Sequence, residues 1–227
     1  LLRGSSAAFI LKLFGIMLGY MAMLYITIKY GASVFGILTL SVTVLSIFSL
    51  IPNFGMGIAI VRIIGELNVH DKFEEIKHSL IIIFIFTITT SLLFVFLLNF
   101  SSHFISDQIL NKIYMAEYFV NISPAIISSA TILVISTTFQ SLKEVKKYIF
   151  FQTILHQLFF LMLLIINNHF FYDATVVGIF VYANIFSALV AFVFFLVKIF
   201  SFPKSEEKVS YEFGFYKIVK ISAPMLF

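Results

Sequence analysis

Apolar residues run through this chain in six stretches, at roughly 4–28, 36–60, 79–100, 118–142, 148–167 and 174–200, separated by short polar connections. An α-helix rising 1.5 Å per residue needs ~20 such residues to cross ~30 Å of hydrocarbon. The pattern therefore predicts an all-α fold, a polytopic membrane helix bundle with six transmembrane helices. Residues 218–227 turn apolar again and read as the start of a seventh helix.

The polar residues inside these stretches are grouped rather than scattered. In the first, Gly4, Ala8, Gly15, Gly19 and Ala22 recur at intervals of three, four or seven, which predicts a stripe that another backbone can approach closely. Lys12 falls on the same stripe. A lysine at that depth costs ~3 kcal/mol on insertion scales unless it meets water or a partner. It either faces a cavity or sends its stem back toward the headgroups.

The second stretch carries Gly36, Thr39, Thr43, Ser46, Asn53 and Gly57 on one face, with Leu50 interrupting the series. Pro52 removes a backbone donor and crowds the carbonyl of Phe48, so a kink or unwinding is expected beside Asn53. A kink of this kind serves packing or motion. The fourth stretch repeats the theme with Asn121, Pro124, Ser128, Thr131 and Thr138. Gln152 and His156 lie one turn apart in the fifth, and Asn184 and Ser187 are similarly spaced in the sixth. These pairs are expected to share a face with a cavity, His156 as a packing residue or as a proton carrier.

Charge adds the orientation. Of 15 Lys and Arg, twelve fall on the N-terminus and alternate connections: Arg3; Arg62, Lys72 and Lys77; Lys143, Lys146 and Lys147; and Lys198, Lys204, Lys208, Lys217 and Lys220. The opposite loops hold Lys29 and Lys112. Basic residues near helix ends are retained on the cytoplasmic side, so the N-terminus is expected in the cytoplasm and the protein in the inner membrane. The formal charge of +4 then reflects topology and anionic lipid rather than nucleic-acid binding. The first apolar run is too long for a cleavable signal.

Chemistry is bounded mainly by what is missing. With no cysteine, disulfides, thiol catalysis and Cys-ligated metals are excluded. His70, His78, His103 and His169 show no ligand spacing, so neither metal nor cofactor is expected. Nucleotide-binding and hydrolase motifs are absent, and no enzyme activity is expected. All eleven carboxylates lie in loops or at helix ends, whereas carriers of cations usually need one buried. The interior polarity suits an anionic substrate.

Several stretches resemble a known family. Tyr30-Gly31-Ala32-Ser33-Val34-Phe35-Gly36, then Asn53-Phe54-Gly55-Met56-Gly57-Ile58-Ala59 and Arg62, resembles the N-terminal signature of Wzx-type O-antigen and exopolysaccharide flippases of the MOP superfamily, relatives of the MATE exporters. Phe139-Gln140-Ser141 leading into Lys146-Lys147-Tyr148 and Gln152 resembles their fourth-to-fifth helix connection, and Lys220-Ile221-Ser222-Ala223-Pro224 the opening of their seventh helix. The resemblance implies that residues 1–200 form one MATE-like six-helix lobe, 201–217 a cytoplasmic linker and 218–227 the first part of a truncated second lobe. It further implies transport of undecaprenyl-diphosphate-linked oligosaccharide by alternating access. Partners would be that glycolipid, membrane lipids and the polysaccharide polymerase machinery.

On this reading Lys12 is the candidate for attracting the diphosphate, and Arg62 is either a second contact at the mouth or a positive-inside anchor. Asn53, Gln152 and His156 are cavity candidates, with Pro52 and Pro124 as hinges. A MATE-type drug antiporter and a membrane-embedded polysaccharide polymerase or ligase remain as alternatives, the latter disfavoured by short external loops.

Overall fold

In the computed structural model the described residues are 2–53, 55–170 and 175–203. Most of the expected linker and the whole 218–227 segment lie outside them. Six helical spans are long and apolar enough to cross a membrane: Ala7–Lys29, Ala32–Leu50, Phe73–Ile109, Met115–Ser141, Val145–Asn167 and Val176–Phe200. The described residues form no strand. The all-α expectation is met.

Helix α1 (Leu2–Lys29) turns at Gly31, whose φ of 92° suits a residue without a side chain, into α2 (Ala32–Asn53). The second apolar run does not continue to residue 60 as its hydropathy suggests. Pro52 removes a backbone donor near the end of α2, and Gly55 follows in the left-handed region at φ 66°. A separate helix, α3 (Met56–Val69), begins immediately afterwards. It buries Met56, Ala59, Ile60, Ile63, Ile64 and Leu67 at helical spacing, packed on two later helices, and leaves Arg62 and Glu66 exposed. Gly57 thus belongs to α3, where it meets Thr137, and not to the polar face of α2.

Helix α4 (Phe73–Phe104) is 32 residues long and ends in a π-helical turn, Ile105–Ile109. The fourth span is broken where Pro124 predicts it: α5 (Met115–Ile122) gives way to α6 (Ala125–Ser141) across Ser123 and Pro124. Helix α7 (Val145–Ile149), a π-helical turn (Phe150–Ile154) and α8 (Leu155–Phe170) together make the fifth span, and α9 (Val176–Phe200) the sixth. Thr175 caps α9 by accepting the Gly178 N–H at 3.1 Å.

Helix α6 is the central post, packed against α3, α4 and α9, while α1 lies along α8. Two apolar clusters fill the bundle at opposite ends. One, at the basic end, joins α3 to the start of α4, the end of α6 and the end of α9, with Phe139 stacked on Phe151 at 5.3 Å. The other joins α5 and the start of α6 to α2, the later parts of α1, α4 and α8, and the first two turns of α9. At the basic end Glu144 pairs with Lys147 at 2.5 Å and Lys198 at 2.6 Å, tying the α6–α7 turn to the end of α9. Burial works against charge on Glu144, but hydrogen bonds from both lysines and their charge outweigh it and hold the carboxyl below its ordinary range.

Candidate functional site

Between the two apolar clusters lies a band of polar residues. Thr87 and Ser91 on α4, Ser128 and Ser129 on α6, His156 on α8, and Asn184 and Ser187 on α9 fall where each helix passes from one cluster to the other, and Ser49 and Asn53 join them from the end of α2. Ser49 Oγ, Asn53 Oδ1, Thr87 Oγ1 and Ser91 Oγ are buried with no hydrogen-bond partner among the described residues. Unsatisfied polar atoms are expensive at membrane depth, so a concentration of them marks a place where water or a ligand completes the bonding.

On the α2 side this band opens into a cavity of about 360 Å³. Its polar wall comes from Ser46, Ser49 and Asn53 on α2, Ser129 on α6, Gln152, Thr153, His156 and Gln157 on the fifth span, and Asn184 on α9. A second cavity of about 270 Å³ continues from it between α1 and α2, sharing Val42, Ser46, Gln157 and Phe180 and adding Gly19, Met23, Thr39 and Thr43. No charged residue lines either cavity among the described residues.

Local structure explains how these walls form. The small-residue stripe on α1 packs as its spacing predicts, with Gly15 against Thr153 and Ile154 and Gly19 against Gln157. A β-carbon on Gly15 would stand 2.7 Å from Thr153 Cγ2, so only glycine lets the helices approach this closely. Thr153 and Gln152 belong to the π-helical turn, a local widening often found at functional sites. Farther along, the Tyr30 hydroxyl accepts from Asn167 Nδ2 at 3.3 Å and approaches the Leu164 carbonyl at 3.5 Å, joining the α1–α2 turn to α8. His156 is held from two sides. Its ring lies parallel to Phe160 and edge-on to Phe180, and Asn184 Nδ2 is 3.0 Å from its Nε2. An amide NH₂ can only donate, so that ring nitrogen accepts and the imidazole is neutral in this arrangement.

A family model described as polysaccharide biosynthesis protein matches residues 1–227, the entire chain. The chain belongs to that family. No curated protein and no solved structure matches it. The resemblance to polysaccharide-exporting membrane proteins is thereby borne out, and with six spanning helices the chain is a multi-pass membrane protein with a role in polysaccharide synthesis or export.

The five cavity candidates separate into two groups. Asn53, Gln152 and His156 converge on the larger cavity from α2 and the fifth span. Lys12 and Arg62 do not line it, and both are exposed. Arg62 lies on the face of α3 opposite Ile60, Ile63 and Ile64, away from the core. Lys12 is seven residues from Gly19 and eleven from Met23, both of which line the smaller cavity, so all three fall on one face of α1. Lys12 therefore stands on the cleft side, ~10 Å nearer the basic end than Gly19.

Pro52 and Pro124 both sit at helix breaks. Asn184 joins the cavity as its spacing predicts, whereas Ser187 is buried and donates to the Ala183 carbonyl. Sequence reasoning missed Ser49, Ser129, Thr153 and Gln157. For the last two a signal existed: Thr153 and Gln157 are one turn apart, matching Gly15 and Gly19 opposite.

Proposed function

We propose that this chain is the N-terminal lobe of a transporter that moves undecaprenyl-diphosphate-linked oligosaccharide across the cytoplasmic membrane by alternating access. The observation that carries the reading is the polar cavity inside a membrane-spanning bundle, in a member of a polysaccharide biosynthesis family. A hydroxyl- and amide-rich recess is costly within hydrocarbon unless it admits something polar. The exposed Thr39, Thr43 and Ser46 extend the polar surface along the outer face of α2, where a facing lobe would close the cleft. No carboxylate enters the cavity among the described residues, which favours this substrate over a cation.

The lobe spans 1–200, the linker 201–217 and the next lobe begins at 218. The breaks at Pro52 and Pro124 are flexible points in its rocking. The chain transports rather than transforms its substrate. In cells depleted of the full-length protein, lipid-linked repeat units are expected to accumulate on the cytoplasmic leaflet while surface polysaccharide disappears. Repeat units that still reach the outer leaflet at normal rate would refute the transport role.

The N-terminus is cytoplasmic on the distribution of basic residues. Residues 1–227 hold no cysteine, so single cysteines placed among them report topology in a cysteine-free background of the full-length protein. Ser33→Cys should react with an impermeant thiol reagent from outside intact cells, and Lys143→Cys only after permeabilisation. The reverse pattern would invert the assignment.

A further inference from the structure

The resemblance leads one to expect a cationic cavity for an anionic substrate, yet the larger cavity contains no cation among the described residues. Its polar groups are hydroxyls and neutral side chains: Asn53, Gln152, Gln157 and Asn184 supply carboxamides, and His156 is neutral when it accepts from Asn184. Bringing a diphosphate or a uronate into such a space would strip its water with no countercharge to replace it. Sugar hydroxyls make the opposite demand. Each both donates and accepts, and carboxamides and hydroxyls offer both partners.

Ser49 and Asn53 line the wall, their buried Oγ and Oδ1 atoms lack partners among the described residues, and Phe180 with the His156 ring gives an apolar surface beside them. At about 360 Å³ the space falls within the ~300–1,000 Å³ of small-molecule sites. We infer that this cavity is a recognition site for uncharged sugar residues of the transported glycan, with Asn53 and Gln152 as specificity-determining contacts, and that the diphosphate stays outside it. This rests on the transport reading above and narrows its substrate class.

The test uses the full-length protein purified in nanodiscs and three probes: undecaprenyl diphosphate bearing a neutral disaccharide, the same lipid bearing a disaccharide with one uronic acid, and undecaprenyl diphosphate alone. The wild type should prefer the neutral glycolipid to the acidic one. Asn53→Ala and Gln152→Ala should each weaken neutral-glycolipid binding by about five- to tenfold while leaving the bare lipid unchanged, as expected for loss of one hydrogen bond between neutral groups. Asn53→Lys should move the preference toward the uronic acid, with retained bare-lipid binding showing that the fold survives.

Equal losses for the bare lipid, or a wild-type preference for the acidic glycolipid, would overturn the inference and leave the transport reading standing. If the wild type bound none of the three lipids, the transport reading would fall first and this inference with it.

Discussion

Replacing Gly15 with leucine should leave little folded protein in the membrane. The ideal β-carbon at this position already stands 2.7 Å from Thr153 Cγ2, with Thr153 Cβ at 3.3 Å and Ile154 Cγ1 at 3.4 Å behind it. Overpacking a close contact costs ~1–3 kcal/mol and sometimes more. Leucine adds three further carbons in a direction already filled by α8 and the π-helical turn. Gly15→Ala is the graded version: alanine recovers up to ~1 kcal/mol of helix propensity but meets the same methyl. A net loss of about 1 kcal/mol is expected. Thr153→Ser removes the clashing methyl, so Gly15→Ala with Thr153→Ser should recover most of the loss, and the non-additivity measures the contact directly. Gly65→Ala, with nothing within 4 Å of its β-carbon among the described residues, is the neutral or stabilising control. Thermal melting in detergent reads all of these. A Gly15→Leu protein that melts with the wild type would mean that α1 does not pack on α8 as described.

The contrast between Gly15 and its surroundings shows what the sequence could reveal. All six spans were legible because hydrocarbon demands long, unbroken apolar runs and tolerates few charges. The boundary between α2 and α3 was not, because Met56 to Ile60 continue the apolar run of α2 while belonging to a different helix. Hydropathy records burial and says nothing of direction. Only the adjacent Pro52 and the left-handed Gly55 signal the break, and their geometric outcome depends on what α3 can pack against.

The cavity was partly legible for a related reason. A carboxamide in an apolar helix cannot satisfy both its donors and acceptors on its own backbone, so Asn53, Gln152 and Asn184 stand out. Hydroxyls are ambiguous. Thr39, Thr43 and Ser46 bond to the carbonyls of Phe35, Thr39 and Val42 one turn back, and Ser129 bonds to Ile126. Such a residue is equally at home against lipid, protein or water. Whether Ser49 or Ser129 faces a cavity is set by helix rotation in the bundle, which no spacing rule supplies. The same limit separates Lys12 and Arg62 from the cavity: both were placed on plausible faces, but depth and tilt decide what they reach.

Reversing the charge at Lys12 should produce the largest functional loss that leaves the fold intact. Lys12 is exposed on the cleft face of α1, ~10 Å from Gly19, so its substitution disturbs no packed contact of the apolar clusters. A hydrogen bond to a charged partner is worth ~1.5–3 kcal/mol, and each 1.4 kcal/mol is tenfold in affinity. Lys12→Ala is therefore expected to weaken undecaprenyl-diphosphate binding by roughly ten- to a hundredfold, and Lys12→Glu by more, because repulsion is added to the loss. Lys12→Arg should retain most of the binding, since a guanidinium also satisfies phosphate. Surface polysaccharide at matched protein levels should fall in the same order. The diagnostic feature is uniformity: Lys12 variants should weaken the bare lipid and both glycolipids by a similar factor, whereas Asn53→Ala acts on the neutral glycan alone. Wild-type binding and export in both Lys12→Ala and Lys12→Glu would assign this lysine to snorkelling at the headgroups, and the diphosphate would then need a cation from elsewhere in the protein.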